Sequence, residues 1–471
     1  MNLDHDACYR IFLARDRRFD GRVFIGVRTT GIYCRPICPA PPPRQANVSF
    51  YPSAVAARQA GFRPCLRCRP EVSPDFAAWR GSSSIVVRAL RLIQEGALDR
   101  TSAEEFASRL GVGERQLRRL FVEHVGAPPS GFAQLRRVHL AKQLIHETDL
   151  PMIEIAYASG YRSLRRFNES FREMFGRAPA TLRGRPASGG RLSIRLAYAP
   201  PYDWDAMIGT LARRAIAGVE RVDQNAYRRT MDVGGVPGAI RVTRAGEGYL
   251  RADLEFSKLD ALPRIVAQVR SLFDLAADPL VLAERFQDVP ALAAPARARP
   301  GLRVPGHWDT FELVVRTILG ERLTRTASNA PLHEFVLAFG EPAPNSGDGL
   351  THYFPRLERL RHRDLSVVSI TAGQATAIAS YAEAALRDPT PMTSFAPIEE
   401  TIDWLSALPG FDREIAVSIA TRLAEPTNDV SGLGADDIAR IEECPPWRAY
   451  AALHLFGAGE PDVGGAFQNA A

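Results

Sequence analysis

"TTGIYCRPICPAPPP" (Thr29–Pro43) sets Cys34 and Cys38 four positions apart, and "RPCLRCRP" (Arg63–Pro70) adds a tighter pair, Cys65 and Cys68. Four of the six cysteines in 471 residues therefore fall inside 35 positions. Two close pairs separated by a longer excursion are the usual way four sulfurs reach the corners of a tetrahedron, and Zn²⁺ accepts that set. Spacing alone leaves two readings open: a structural zinc knuckle, or a zinc site in which one sulfur also reacts. Cys8 and Cys444 stand apart and read as small buried hydrophobes.

The rest of the composition sets the context. A chain this long exceeds one hydrophobic core, so three or more domains are expected. No run approaches the roughly eighteen uncharged apolar residues of a membrane span, so a membrane is not an expected partner. The start, "MNLDHDACYR", has acids where a secretion signal needs an apolar core, and a cytoplasmic setting is expected. In that compartment clustered cysteines are metal ligands or nucleophiles rather than disulfides. Charge is divided unevenly. Residues 1–184 hold 29 Arg and Lys against 17 Asp and Glu, whereas residues 185–471 hold 30 against 36. A net of +12 in the first part suits a polyanion, most simply nucleic acid.

Pattern divides the chain into a multidomain α+β protein. Residues 1–80 read as a small zinc-binding α/β domain with short strands ("RVFIGVRTTGIYC", "NVSFY") and one helix near 53–60. Residues 84–183 are helical throughout, with Arg-rich polar faces. "RGRPASGGR" holds a linker at 184–191. An α+β domain follows over 192–290, then a helical domain over 300–457 and a tail at 458–471.

The helical region contains one local duplication. "TSAEEFASRLGVGERQLRRLFVEHVG" reads as helix, glycine turn, helix, with Arg115, Gln116, Arg118 and Arg119 outward. Fifty residues later "LPMIEIAYASGYRSLRRFNESFREMFGRAPATLR" repeats the design, with Ser163 as N-cap and Arg165, Arg166 and Asn168 outward.

Three resemblances follow from these stretches. "FIGVRTTGIYCRPIC", "RQANVSFY" and "GFRPCLRCRP" resemble the N-terminal domain of the Ada-type DNA methylphosphotriester repair proteins. The resemblance implies Zn²⁺ on Cys34, Cys38, Cys65 and Cys68, with Cys34 also the methyl acceptor. It further implies that Arg28, Arg35, Arg63, Arg67 and Arg69 hold the flanking phosphates of double-stranded DNA. The duplicated unit resembles the AraC-type DNA-binding domain. That implies two helix-turn-helix units whose second helices, carrying the outward residues above, enter major grooves at promoter sites. An activator of this kind has RNA polymerase as its expected partner and the nucleoid as its expected place.

Residues 192–457 resemble the 3-methyladenine type of helix-hairpin-helix DNA glycosylase, through "LAYAPPYDWDAMIGTLARRAIAGVE", "RPGLRVPGHWDTFELVVRTILGE" and "PPWRAYAALHLF". That family's hairpin, "LPGIGxWTA", is here "LPGFDREIA": Leu408, Pro409 and Gly410 remain, but Asp412 and Glu414 place carboxylates where a phosphate docks. Its catalytic aspartate aligns with Gly432, with Asp429, Asp436 and Asp437 nearby. The whole chain has two lysines, Lys142 and Lys258, neither near the hairpin in sequence, which closes a Schiff-base route. The leading reading is a single-use methyltransferase that activates alkylation-repair genes. The alternatives are a working base-excision glycosylase with a fused sensor, and a DNA-binding regulator with a catalytically dead glycosylase scaffold.

Overall fold

The computed structural model describes residues 4–16, 19–68, 70, 84–183, 192–320, 329–344, 348–360, 363–392, 397–424, 426–431, 433–445 and 447–456. The expected linker at 184–191 and tail at 458–471 lie outside them, as do Arg69 and Gly432.

The first unit is a four-stranded sheet. Strands β1 (Phe24–Val27), β2 (Ile32–Cys34) and β3 (Val48–Tyr51) pair antiparallel, and the two-residue β4 (Arg63–Pro64) lies parallel to β2 in the order β3-β1-β2-β4. Helix α2 (Ala54–Gln59) starts where Ser53 caps the Ala56 amide at 3.1 Å. Helix α1 (His5–Leu13), absent from the sequence reading, is capped by Asp4 and buries Cys8 and Phe12.

Helices α3 (Ser84–Gln94), α4 (Ala97–Arg100), α5 (Ala103–Arg109), α6 (Glu114–Val125), α7 (Pro129–Glu147), α8 (Met152–Ala158) and α9 (Leu164–Phe175) follow. The α5–α6 and α8–α9 turns contain Gly111 at φ +75° and Gly160 at φ +92°. A side chain is strained in that left-handed conformation, so glycine sets both corners. The nineteen-residue α7 joins the two helix-turn-helix units, burying Ala133, Val138, Ala141 and Leu144.

The third unit is a five-stranded antiparallel sheet of β5 (Leu192–Ala197), β6 (Glu220–Asp223), β7 (Ala226–Asp232), β8 (Pro237–Arg244) and β9 (Tyr249–Phe256), ordered β5-β9-β8-β7-β6. Helices α10 (Trp204–Arg214) and α11 (Leu262–Leu272) share an apolar cluster with the sheet's inward residues, among them Ile194, Ile240, Val242 and Leu254. The same cluster takes in Phe24 and Tyr33 of the first sheet, Leu144 of α7, and Phe167 and Phe171 of α9. The apolar core thus crosses segment boundaries that look sharp in the chain.

Helices α12 (Pro279–Gln287), α13 (Pro290–Ala298), α14 (Thr310–Ile318), α15 (Ala330–Phe339), α16 (Ala372–Arg387), α17 (Ile398–Ser406), α18 (Arg413–Ala424), α19 (Ala435–Ala439) and α20 (Arg448–Leu455) complete the fold. A buried ionic seam ties this helical part to the sheet. Arg229 of β7 donates to Glu312 of α14 at 2.7 Å, and Arg316 donates to the same carboxylate at 2.8 Å and also to Glu220 of β6. The Tyr227 hydroxyl donates to Glu220 at 2.6 Å, and the Arg229 guanidinium lies 4.5 Å from the Trp308 ring centroid. Burial pushes the Glu312 carboxyl up, but Arg229 and Arg316 outweigh it and hold it below its ordinary range. Removing one member of such a network strands the others without solvent. Glu312→Ala is therefore expected to lower unfolding free energy by about 3–5 kcal/mol, read by denaturant titration of the full chain. A loss below about 1 kcal/mol, the scale of an exposed pair, would show that water reaches the seam.

Candidate metal centre and nucleic-acid interface

The four clustered cysteines converge. Their sulfurs all lie within 4.8 Å of one another and all four residues are buried. The parallel pairing of β4 with β2 achieves this: the Arg63 amide donates to Gly31 O at 2.8 Å and the Cys65 amide to Tyr33 O at 2.9 Å. A tight turn, with the Cys38 amide on Arg35 O at 3.2 Å, folds Cys38 back over Cys34. The Arg35 amide donates to Cys68 Sγ at 3.3 Å, closing the cluster.

The donor set fits zinc. Tetrahedral coordination at about 2.3 Å per Zn–S bond separates sulfurs by about 3.8 Å, inside the observed limit. Hydrogen bonding with Cys34 draws the Cys38 thiol down to about 7 and lowers Cys65 as well, while hydrogen bonding with Cys38 raises Cys34. Four thiols packed this closely are a donor set that a metal ion binds as thiolates. Among the described residues, this is the His, Cys, Asp or Glu group compact enough for a metal ion. Cys8 and Cys444 are buried away from it.

The arginines around the cluster divide into two kinds. Arg28, Arg63 and Arg67 are exposed, and Arg28 also donates to Ala46 O. Arg35 departs from the sequence expectation. It is 4% exposed, bound through two nitrogens to Asp20, and donates to Cys68 O at 3.0 Å and to the Tyr249 hydroxyl at 3.4 Å. A guanidinium spent on a buried carboxylate does not face a phosphate; its role is to brace the cysteine loops. Nothing in the sequence paired it with Asp20, fifteen positions back.

The residues expected to face outward differ in exposure between the two helix-turn-helix units. Arg115, Gln116, Arg118 and Arg119 are exposed on α6 and line an open cleft of about 850 Å³ with Gly113, Val122 and Glu123. On α9, Ser163 caps the helix through the Arg166 amide at 3.3 Å. Arg165 and Arg166 are exposed, Arg165 paired with Glu169 at 2.8 Å, and Asn168 is half-buried. The first unit has no such cap, since Gly113 offers no side chain. The first sheet sits against this module: the Ser53 hydroxyl donates to Val125 O at 3.4 Å, and Arg63 reaches Gly176 at the end of α9.

In the hairpin, Leu408 is half-buried and Pro409 and Gly410 are exposed. A Cβ on Gly410 would come within 2.6 Å of the Ala377 amide, so only glycine allows this approach to α16. The Asp412 carboxylate accepts from the Ile415 amide at 2.7 Å. It thereby takes up a free amide at the start of α18, which is also where an anion would sit. Glu414 adds a second negative charge in that turn. Asp429, the nearest carboxylate to the position aligned with Gly432, is 3% exposed, lies 3.8 Å from Arg422 and accepts from the Ser431 amide. On α19 Asp436 is exposed and Asp437 half-buried.

Comparison with known proteins agrees with this anatomy. Residues 7–71 match the model of the metal binding domain of Ada, residues 106–185 a helix-turn-helix domain, and residues 193–309 the AlkA N-terminal domain. A Mycobacterium tuberculosis protein described as a probable bifunctional transcriptional activator/DNA repair enzyme AlkA is 35% identical, with 97% of each chain covered. The Escherichia coli K12 DNA-3-methyladenine glycosylase 2 is 30% identical over 55% of this chain and 95% of its own length. The bifunctional transcriptional activator/DNA repair enzyme Ada of the same organism is 36% identical over 30% of this chain and 38% of its own. A four-sulfur site, two helix-turn-helix units and a glycosylase-like region in one chain, matched end to end by such a relative, place this protein in the family of bifunctional transcriptional activator/DNA repair enzymes of the Ada/AlkA kind.

Proposed function

We propose that the protein takes a methyl group from a DNA methylphosphotriester onto Cys34, irreversibly, and that the methylated form activates transcription of repair genes. The observation that carries this reading is the buried convergence of four sulfurs in a domain matching that of Ada. A zinc ion on Cys34, Cys38, Cys65 and Cys68 would keep the sulfurs deprotonated at neutral pH. In the transfer, a Cys34 lone pair forms the S–CH₃ bond as the O–CH₃ bond breaks, and the departing electron pair stays on the phosphate oxygen. The products are a thioether and an ordinary phosphodiester. No proton moves, and no returning step exists. A methylated phosphate is neutral, so an anionic sulfur cluster approaches it more easily than it approaches an unmodified phosphodiester. Arg28, Arg63 and Arg67, being exposed, suit the flanking phosphates. Arg115, Gln116, Arg118, Arg119, Arg165 and Arg166 suit promoter DNA, with RNA polymerase the partner that activation requires.

The glycosylase-like half is read as a retained scaffold. Base loss needs a carboxylate beside the developing oxocarbenium charge. Asp429 is buried and engaged by Arg422 and the Ser431 amide, and Asp412 occupies the hairpin's anion position.

Three outcomes test these statements. After exposure to methylated DNA, peptide mass spectrometry is expected to place the methyl group on Cys34 and to find none in Cys34→Ala. Replacing Cys38, Cys65 or Cys68 is expected to release zinc and unfold the first domain. An adduct on any of those three would overturn the assignment.

Methylation removes one negative charge from the cluster, so the methylated protein is expected to bind promoter DNA more tightly, by a margin that shrinks as salt rises. Equal binding of the two forms at low salt would refute a charge switch.

The full chain is expected to release no 3-methyladenine from alkylated duplex DNA, even at stoichiometric protein. Robust release, lost in Asp429→Asn or Asp436→Asn, would establish a working glycosylase instead.

A further inference from the structure

The acidic half of the chain concentrates arginines on one surface. Register fixes which side of the five-stranded sheet each residue faces, since successive side chains alternate. Ile240, Val242, Leu250, Ala252 and Leu254 face the helices, so their alternates face out. On that outer face Arg221, Arg228 and Arg241 stand directly opposite one another across β6, β7 and β8. In the neighbouring row Arg195 of β5 stands opposite Arg251 of β9. Arg244, at the end of β8, is exposed but stands opposite Leu250, so register gives it to the other side. Like charges directly opposite across a ladder destabilise a sheet, so folding alone does not favour these two rows.

Four carboxylates offset part of the charge. Asp223 pairs with Arg228 at 2.5 Å, Asp253 with Arg251 at 3.2 Å and Arg241 at 3.6 Å, and Glu147 of α7 with Arg195 at 3.2 Å. Glu255 is exposed on the same side of β9. The two rows thus set five arginines against these four carboxylates and Asp232, which lies on the same side by register and is paired with Arg356, inside a half whose overall balance is negative. The side chains of Arg195, Arg241 and Arg251 stay 49%, 40% and 47% exposed, while Arg221 donates to Asp348 O at 2.8 Å. At the sheet's rim Arg241, Arg244, Arg251 and the Gln224–Asn225 turn, with Trp204 and Asp205 of α10, line a cleft of about 750 Å³.

The face is continuous with the sulfur cluster. Tyr249 lies on the same side of β9 as Arg251, its ring 5.9 Å from the Arg195 guanidinium. Its hydroxyl accepts from Arg35, whose amide donates to Cys68 Sγ.

From this geometry we propose that the outer face of the β5–β9 sheet is a backbone track for DNA: phosphates of a duplex engaged at the four-cysteine domain continue over Arg195, Arg251, Arg241, Arg228 and Arg221. The inference rests on the proposed reading that this chain works on DNA, and it gives the glycosylase-like half a role without base removal. Contacts to phosphates carry no sequence information, so the track adds affinity and fixes orientation while promoter choice stays with α6 and α9.

The test uses the full chain with zinc bound and an unmethylated duplex long enough to cross both surfaces. Binding is measured as a function of salt for the wild type, for Arg221→Gln/Arg241→Gln/Arg251→Gln, and for the corresponding triple lysine variant. Each lost phosphate contact lowers the slope of log K against log salt by about 0.9, so the glutamine variant is expected to lose about two to three from the slope. The lysine variant, which keeps the charge, is expected to retain it, and this separates lost contacts from lost folding. An unchanged slope in the glutamine variant, with the wild type binding normally, overturns the track and leaves the proposed function intact. A wild type that does not bind duplex DNA overturns both. Loss of slope in the lysine variant as well would mean that the guanidinium pairs hold the sheet together, and would equally refute the track.

Discussion

The convergence of four thiols on one point is the constraint around which the first third of the molecule is organised. A sheet whose fourth strand is two residues long has little of its own to hold Cys65 and Cys68 against Cys34 and Cys38. Its ladder with β2 and the amide of Arg35 set the position, and metal affinity makes that arrangement a folding energy. The same constraint turns Arg35 inward. A guanidinium between two cysteine loops must be neutralised when buried, and Asp20 does so.

From that point the structure connects outward rather than ending at a domain edge. Arg35 reaches Tyr249 of the second sheet, and Arg22 pairs with Asp278 at the start of α12, both groups buried. Phe24 and Tyr33 join the apolar cluster that also contains Leu144, Phe167 and the inner face of the five-stranded sheet. The cysteine domain thus touches both the α9 end, through Arg63 at Gly176, and the glycosylase-like half, through Arg35 at Tyr249. The seam of Glu220, Arg229, Glu312 and Arg316 then fixes that sheet to the helices behind it. These contacts argue against treating the acidic half as freely tethered cargo. The five-stranded sheet closes the core under α7 and α9.

Much of the site was legible in the chain. The two cysteine pairs, the duplicated helix-turn-helix units and the altered hairpin are all local signals, set by spacing, by capping residues such as Ser163, or by substituted positions such as Asp412. Local chemistry also predicts where Arg115, Gln116, Arg118 and Arg119 point, because helical period places Leu117 inward and these four outward. The resemblance to known families then supplied what spacing could not, namely which sulfur is expected to react.

What the sequence could not decide was long-range pairing. Arg28 and Arg35 look alike in a run of basic residues, yet one is exposed and the other is held by Asp20, Cys68 and Tyr249, the last over 200 positions away. The arginines of β5–β9 are scattered through 57 positions of a half with net negative charge, and only strand order and register set them in rows. Charge counted along the chain averages over such surfaces, whereas the field at a surface depends on which residues the backbone hydrogen bonds bring side by side. The sequence determined the chemistry of each element; the tertiary structure decided which charges were spent on the protein itself and which were left facing out.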